Sequence, residues 1–242
     1  MRVLSIGNSF SQDAHRWLHI LAAQNGLELE AWNLYIGGCS LELHWKNLME
    51  ERADYELEIN GLSTGRMISI QEALAFGKWD VITLQQASPY SGIYETYEPY
   101  LTVLAEAVRD GQGDAELYFH QTWAYEWTMV SDGFAGYGND QLEMFRRILQ
   151  ASHQAAEKIH APLIPVGEMI QKLREELPEF RVKEGGISLC RDGYHLSLDY
   201  GRYAAAATWL HTLTHKPVQA FPLEDFSLAL LQRIADVVNQ DA

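Results

Sequence analysis

Residues 2–11 read Arg-Val-Leu-Ser-Ile-Gly-Asn-Ser-Phe-Ser, and the order of these residues decides the fold class. Val3-Leu4-Ser5-Ile6 is a short, nearly unbroken apolar run, as expected of a strand covered on both faces. It stops at Gly7, small polar residues follow (Asn8, Ser9, Ser11), and a helical pattern begins. Ser and Asn at a helix start satisfy free backbone N–H groups. A serine at the carboxyl end of a buried strand can equally be a nucleophile. The rest of the chain has to separate the two roles.

Further strand candidates lie at 29–36, 80–85, 115–121 and 162–166, after the first at 2–7. Helical patterns separate them near 13–25, 40–52, 95–110, 140–160 and 168–177, and a last one lies near 199–215. Buried runs alternating with helices predict a parallel sheet with crossover connections. Since such crossovers are right-handed, the expected product is an open three-layer α/β/α sandwich built on five parallel strands. No repeat, low-complexity tract or Pro/Gly-rich linker divides the chain, so residues 1–242 are expected to form one domain. Residues 122–140 stand apart as a long aperiodic connection holding Trp123, Tyr125, Trp127, Phe134 and Tyr137. Long irregular loops in compact domains are usually functional or mobile. In open α/β sheets ligands bind beyond the carboxyl ends of the strands. This loop, residues 7–11, 37–40 and 85–91 are all expected at that rim.

Composition narrows the partners. The chain is 47% hydrophobic and 21% charged, which is ordinary for a folded protein, and its formal net charge of −15 disfavours nucleic acid and anionic membrane surfaces. No apolar run approaches the ~18 residues of a membrane span. The first apolar stretch is short and ends at Gly7 without signal-peptide anatomy, so a cytoplasmic location is expected. Cys39 and Cys190 are too few for a disulfide framework and are expected to be reduced.

A serine nucleophile needs an imidazole base oriented by a carboxylate. Of the nine histidines, His15/His19 and His211/His215 are i,i+4 pairs without acidic or Cys companions at a ligand spacing, so no metal is expected. His153 and His160 read as surface residues, and His44 beside Trp45 reads as packing. His120 ends a strand beside Gln121 and Trp123. His195 differs: it lies in Asp192-Gly193-Tyr194-His195, just before the final helical pattern. A carboxylate three residues upstream across a turn can fold back onto the imidazole Nδ1. An Asp-Gly turn leading into a helix would read the same way.

Gly-Asn-Ser-Phe-Ser at 7–11, Gly-Gly-Cys-Ser at 37–40 and Asp-Gly-Tyr-His at 192–195 resemble the SGNH (GDSL-like) hydrolases. The likeness is to a bacterial branch that also carries Leu-Gln-Gln-Ala-Ser, here 84–88, and His-Leu-Ser, here 195–197. The resemblance implies a flavodoxin-like α/β/α fold and a cofactor-free Ser-His-Asp hydrolase. In it Ser9 is the nucleophile, His195 the base and Asp192 its partner, while Ser11 is left as the cap. The oxyanion would meet the N–H of Ser9 and that of Gly37 or Gly38. The family's third block usually supplies an Asn side chain as a further donor. Here Gln85 or Gln86 stands near that place, and Gln86 is the expected donor.

His120, Trp123 and Tyr194 are the candidate substrate contacts. Aromatic faces beside carboxamides suit sugar rings, so an O-acetyl esterase acting on sugars or oligosaccharides is the first reading. Several of these aromatics could equally cover the sheet. A small-ester or thioester hydrolase would use the same triad. From other classes, a flavodoxin-like protein could bind flavin or phosphate at the Ser9 helix terminus, and a non-catalytic sugar-binding module would need no triad. Oligomeric state is not legible. Cys39 and Cys190 are expected near the site, unpaired.

Overall fold

The computed structural model describes residues 1–241. The strands are β1 (Arg2–Gly7), β2 (Glu30–Tyr35), β3 (Tyr55–Ile59), β4 (Leu62–Ile68), β5 (Val81–Leu84), β6 (Glu116–His120) and β7 (Leu163–Ile164). The helices are α1 (Ser9–Gln24), α2 (Leu41–Met49), α3 (Ile70–Ala75), α4 (Tyr100–Gly111), α5 (Asp132–Ala135), α6 (Gln141–Lys158), α7 (Val166–Glu176), α8 (Tyr200–Thr214) and α9 (Leu228–Val238).

One sheet runs in the order β4-β3-β2-β1-β5-β6-β7. β1 is central, with Val3 paired between Ala31 and Val81 and Ile6 between Leu34 and Leu84, all in parallel. Alternation along β1 feeds two cores. Val3 packs with α1, α7, α8 and α9 on one face. Leu4 and Ile6 pack with Leu34, Leu84, Phe119 and the helices α2, α3 and α4 on the other. Ser5 lies in the middle of this strand, fully buried, and is satisfied by Thr83 Oγ1 at 2.8 Å and His15 Nε2 at 3.0 Å. A buried hydroxyl is tolerated there because it has partners.

Two features depart from the expectation. The five parallel strands are present as β2-β1-β5-β6-β7, but the sheet has seven strands and is mixed, because β3 and β4 add an antiparallel hairpin beyond β2. The hairpin turns at Asn60 (φ 53°) and Gly61 (φ 69°). These are the left-handed positions of a two-residue turn that Asn-Gly satisfies. Gly61 is also fixed by space, since a Cβ there would lie 2.7 Å from Arg16 Cα. The other departure concerns helices. The pattern near 95–110 begins as α-helix only at Tyr100, after a single 3-10 turn at Tyr94–Thr96, and α3, α5 and α9 lie outside the predicted helical patterns. Ser69 and Glu72 form a reciprocal capping box that starts α3.

Candidate active site

The site is built where β1 turns into α1. Gly7 is required because a Cβ would collide with Ser11 Oγ. Asn8 is the N-cap, its Oδ1 accepting from Phe10 N–H at 3.0 Å, and Ser11 reciprocates by accepting from Asn8 N–H at 3.0 Å. The cap is thus Asn8 rather than Ser11, and Ser11 is its partner in the box. Ser9, the first helical residue, makes neither bond. Its N–H is one of the groups at a helix start with no acceptor within the helix.

His195 arrives from the other end of the chain. Asp192 Oδ1 accepts the N–H groups of Tyr194 (3.2 Å) and His195 (2.8 Å), which winds residues 192–195 into a tight turn. The turn brings His195 Nδ1 to 2.7 Å from Asp192 Oδ2 and His195 Nε2 to 2.9 Å from Ser9 Oγ. Burial pushes the Asp192 carboxyl up, but the hydrogen bonds from the His195 ring and from the two N–H groups outweigh it and hold it below the usual carboxylate range. An ionised carboxylate can only accept, so Nδ1 carries the hydrogen and Nε2 presents its lone pair to Ser9. In this arrangement an imidazole can take the serine proton.

Two clamps hold the turn. On one side Asp13, one helical turn beyond Ser9 and fully buried, accepts from Arg191 Nη1 (3.0 Å), Arg202 Nε (2.7 Å) and Leu196 N–H (2.9 Å). On the other, Glu126 N–H donates to Gly193 O at 2.7 Å, and Arg174 donates to Ala124 O and Cys190 Sγ. Asp13, Arg191 and Glu126 escaped the sequence reading. For Asp13 the signal was its place four residues after Ser9 on the same helix, and nothing local marked its partners.

Ser9 and His195 open into a cleft of about 410 Å³ whose walls include Tyr35, Gly37, Gly38, Ser88, Tyr125, Met129 and Tyr194. Gly38 takes φ +66° with open space beside it, in the loop whose hydrogen bond is carried by Cys39 N–H to Ile36 O. Ser9, Gly37, Gly38, Tyr194 and His195 thus line one cleft.

Gln86, His120 and Trp123 do not reach the cleft. Gln86 Oε1 accepts from Leu41 and Ala87 N–H, and its Nε2 donates to Thr96 O and Oγ1, so its carboxamide ties the β5 end to α2. Gln85 is equally engaged, donating to Asn8 Oδ1 at 2.6 Å and accepting from His120 Nδ1 at 2.8 Å. His120 is fully buried beneath the Asn8 cap. Trp123 is fully buried too, stacked on Phe10 at 4.1 Å and donating to Tyr194 O at 2.6 Å. Phe134 and Tyr137 are likewise buried, so most of the aromatic loop packs rather than lines the site. Cys39 and Cys190 are both buried and unpaired, and neither lines the cleft; the Cys39 carbonyl accepts from Asn8 Nδ2 and the Cys190 thiol from Arg174.

Among solved structures, a protein from Bacteroides uniformis is 37% identical, with a TM-score of 0.91 over 99% of this chain and 93% of its own. A candidate SGNH hydrolase from Slackia heliotrinireducens is 25% identical, with a TM-score of 0.59 over 88% of this chain and 98% of its own. The acetylxylan esterase Axe2 of Geobacillus stearothermophilus, 13% identical, shares the fold with a TM-score of 0.56 over 91% of this chain and 97% of its own. No curated protein matches the chain. The model of the family described as Domain of unknown function (DUF4886) matches residues 2–233, and the Bacteroides uniformis protein is of the same family. With the β1–α1 turn and the Asp192–His195 turn both inside that match, the chain belongs to the DUF4886 family.

Proposed function

We propose that this protein is a serine ester hydrolase that removes short acyl groups, acetyl foremost, from sugars or oligosaccharides. The observation that carries the reading is the relay from Asp192 Oδ2 through the His195 ring to Ser9 Oγ, at 2.7 and 2.9 Å, opening into the cleft. Ser9 Oγ attacks the ester carbonyl carbon while its proton passes to His195 Nε2, and the carbonyl π pair moves onto oxygen. Collapse returns that pair and breaks the bond to the alkoxy oxygen, which leaves with the His195 proton. Water then repeats the sequence on the acyl-enzyme, giving the free acid and restoring Ser9. The N–H groups of Ser9 and of Gly37 or Gly38 stabilise the oxygen that gains charge.

A small cleft walled by Tyr35, Tyr125 and Tyr194, with hydroxyls among its apolar surfaces, supports a short acyl group on a polyhydroxylated alcohol. The likeness in fold to an acetylxylan esterase is consistent with this choice. The test is hydrolysis of 4-nitrophenyl esters of increasing chain length, then of acetylated oligosaccharides. Activity is expected to be highest on acetyl and to fall with chain length. Ser9→Ala is expected to lose several orders of magnitude in kcat while staying folded. Wild-type turnover by the folded variant would remove the proposal.

A further inference from the structure

Resting on this esterase reading, the remaining question is what else meets the oxyanion besides backbone N–H groups. The carboxamides at the end of β5 are both spent on the scaffold, and Ala87 has no polar side chain. The next residue, Ser88, does line the cleft. Beyond Ser9, hydroxyl-bearing residues there are Tyr35, Ser88, Tyr125, Ser131 and Tyr194, and only Ser88 and Tyr125 are buried. Ser131 is half-buried, and its oxygen accepts from Phe134 N–H as the N-cap of α5. A useful oxyanion donor must be fixed and desolvated before the charge develops.

Ser88 Oγ and Tyr125 Oη lie 2.8 Å apart. Two hydroxyls that share one hydrogen bond own two hydrogens and use one, so one O–H is left over. Burial pushes the Tyr125 phenol up to about 12, so it keeps its proton through the working range. A phenol is the stronger donor and an aliphatic hydroxyl the stronger acceptor, which sets the direction: Tyr125 donates to Ser88, and the Ser88 hydrogen is free for the cleft. Receiving a hydrogen bond also strengthens a hydroxyl as donor. The Ser88 backbone is held in its turn by Ser91, whose Oγ donates to Ser88 O at 2.7 Å.

We propose that the Ser88 hydroxyl, held by Tyr125, is the side-chain donor to the oxyanion formed at Ser9, in place of a carboxamide. As the Ser9 Oγ–carbon bond forms and the π pair moves onto oxygen, Ser88 O–H donates a hydrogen bond to that oxygen. No proton is transferred, and the bond relaxes when the pair returns.

The experiment compares Ser88→Ala, Ser88→Thr and Tyr125→Phe with wild type on 4-nitrophenyl acetate. It measures kcat, KM and inhibition by a small alkyl boronic acid, which forms a tetrahedral adduct on a reactive serine. Ser88→Ala is expected to lower kcat by about 100-fold, within the range for one lost oxyanion donor. KM should stay within about threefold, and boronate affinity should fall in step with kcat. Ser88→Thr should retain most activity, and Tyr125→Phe should lose less than Ser88→Ala. A Ser88→Ala kcat within about threefold of wild type would overturn the assignment, as would a change confined to KM or a larger loss in Tyr125→Phe. Should Ser88→Ala not fold, Ser88→Cys, of similar size and a weak donor, is read by the same criteria. Fluorophosphonate labelling separates the two readings. An unlabelled Ser9 in wild type, or an active Ser9→Ala, removes the esterase itself, whereas a labelled Ser9 with an unaffected Ser88→Ala removes only this inference.

Discussion

At the residue scale, neighbouring side chains in 7–11 divide two jobs that the sequence alone leaves tangled. Asn8 and Ser11 satisfy the helix start, which releases Ser9 to face His195. This much was legible because both turns are local: an i,i+3 carboxylate and imidazole meet through the geometry of their own few residues. Gln86 was not legible, since the direction of its carboxamide is set by Leu41 and Thr96, which arrive from other elements. The same holds for Trp123, whose ring is covered by Phe10 and whose N–H is taken by Tyr194. Asp192→Asn is expected to cut kcat by about three to four orders of magnitude, because an amide can donate to Nδ1 and turn the imidazole to the wrong tautomer. A loss below tenfold, in a variant of unchanged near-UV circular dichroism, would show that Asp192 does not orient His195. The two thiols give a second expectation. Burial pushes Cys39 and Cys190 each up to about 12, leaving little thiolate at pH 8. Maleimide should therefore label both only as the protein unfolds. Rapid labelling of the native protein would contradict their burial.

At the element scale, the candidate site is a junction between α1 and the segment before α8. The buried Asp13 carboxylate makes that junction by binding Arg191, Arg202 and the Leu196 N–H from the helix that begins with Ser9. Removing one partner of a buried ionic cluster leaves the others uncompensated and typically costs about 3–5 kcal/mol. Asp13→Ala is thus expected to lower the urea midpoint markedly. The milder Asp13→Asn should keep the fold but lower kcat by tenfold or more, since a misplacement of about 1 Å between base and nucleophile costs about 100-fold. A folded Asp13→Asn enzyme with wild-type kcat would show that the 192–195 turn holds His195 unaided. The strand-helix alternation that predicts β1, β2, β5, β6 and β7 is a strong signal because both faces of those strands are buried. The β3–β4 hairpin is harder to read, since β4 is largely exposed and its apolar content is low. Asn60-Gly61 was nevertheless the mark of it, and α3 carried its own in Ser69 and Glu72.

At the scale of the whole molecule, the fold stores neutral histidines on both sides of the sheet. His15 and His120 flank the edge of Trp209, each ring centroid 5.0 Å from it, and His44 lies across the sheet against Tyr55 with its Nδ1 2.9 Å from the phenol oxygen. Burial lowers all three to about 3. In the unfolded chain they would titrate near 6.5. Below that value the unfolded state binds protons that the folded state refuses. Stability is therefore at its full value above about pH 6.5 and is lost progressively as pH falls toward 3. Each such histidine contributes at most about 1.4 kcal/mol per pH unit in that window. Acidification also reduces the net charge of −15 and so relieves self-repulsion, which acts in the opposite sense. The three histidines are expected to win, because surface repulsion is screened by salt and their desolvation is not. Urea unfolding from pH 7.5 to 4.5 at 0.15 M salt should show stability falling with pH, with the steepest loss below 6. Unfolding near pH 5 should take up about three protons. A flat or rising stability over that range would mean that these rings accept protons in the folded protein, and that the polar atoms around them are wetter than the packing of the two cores implies.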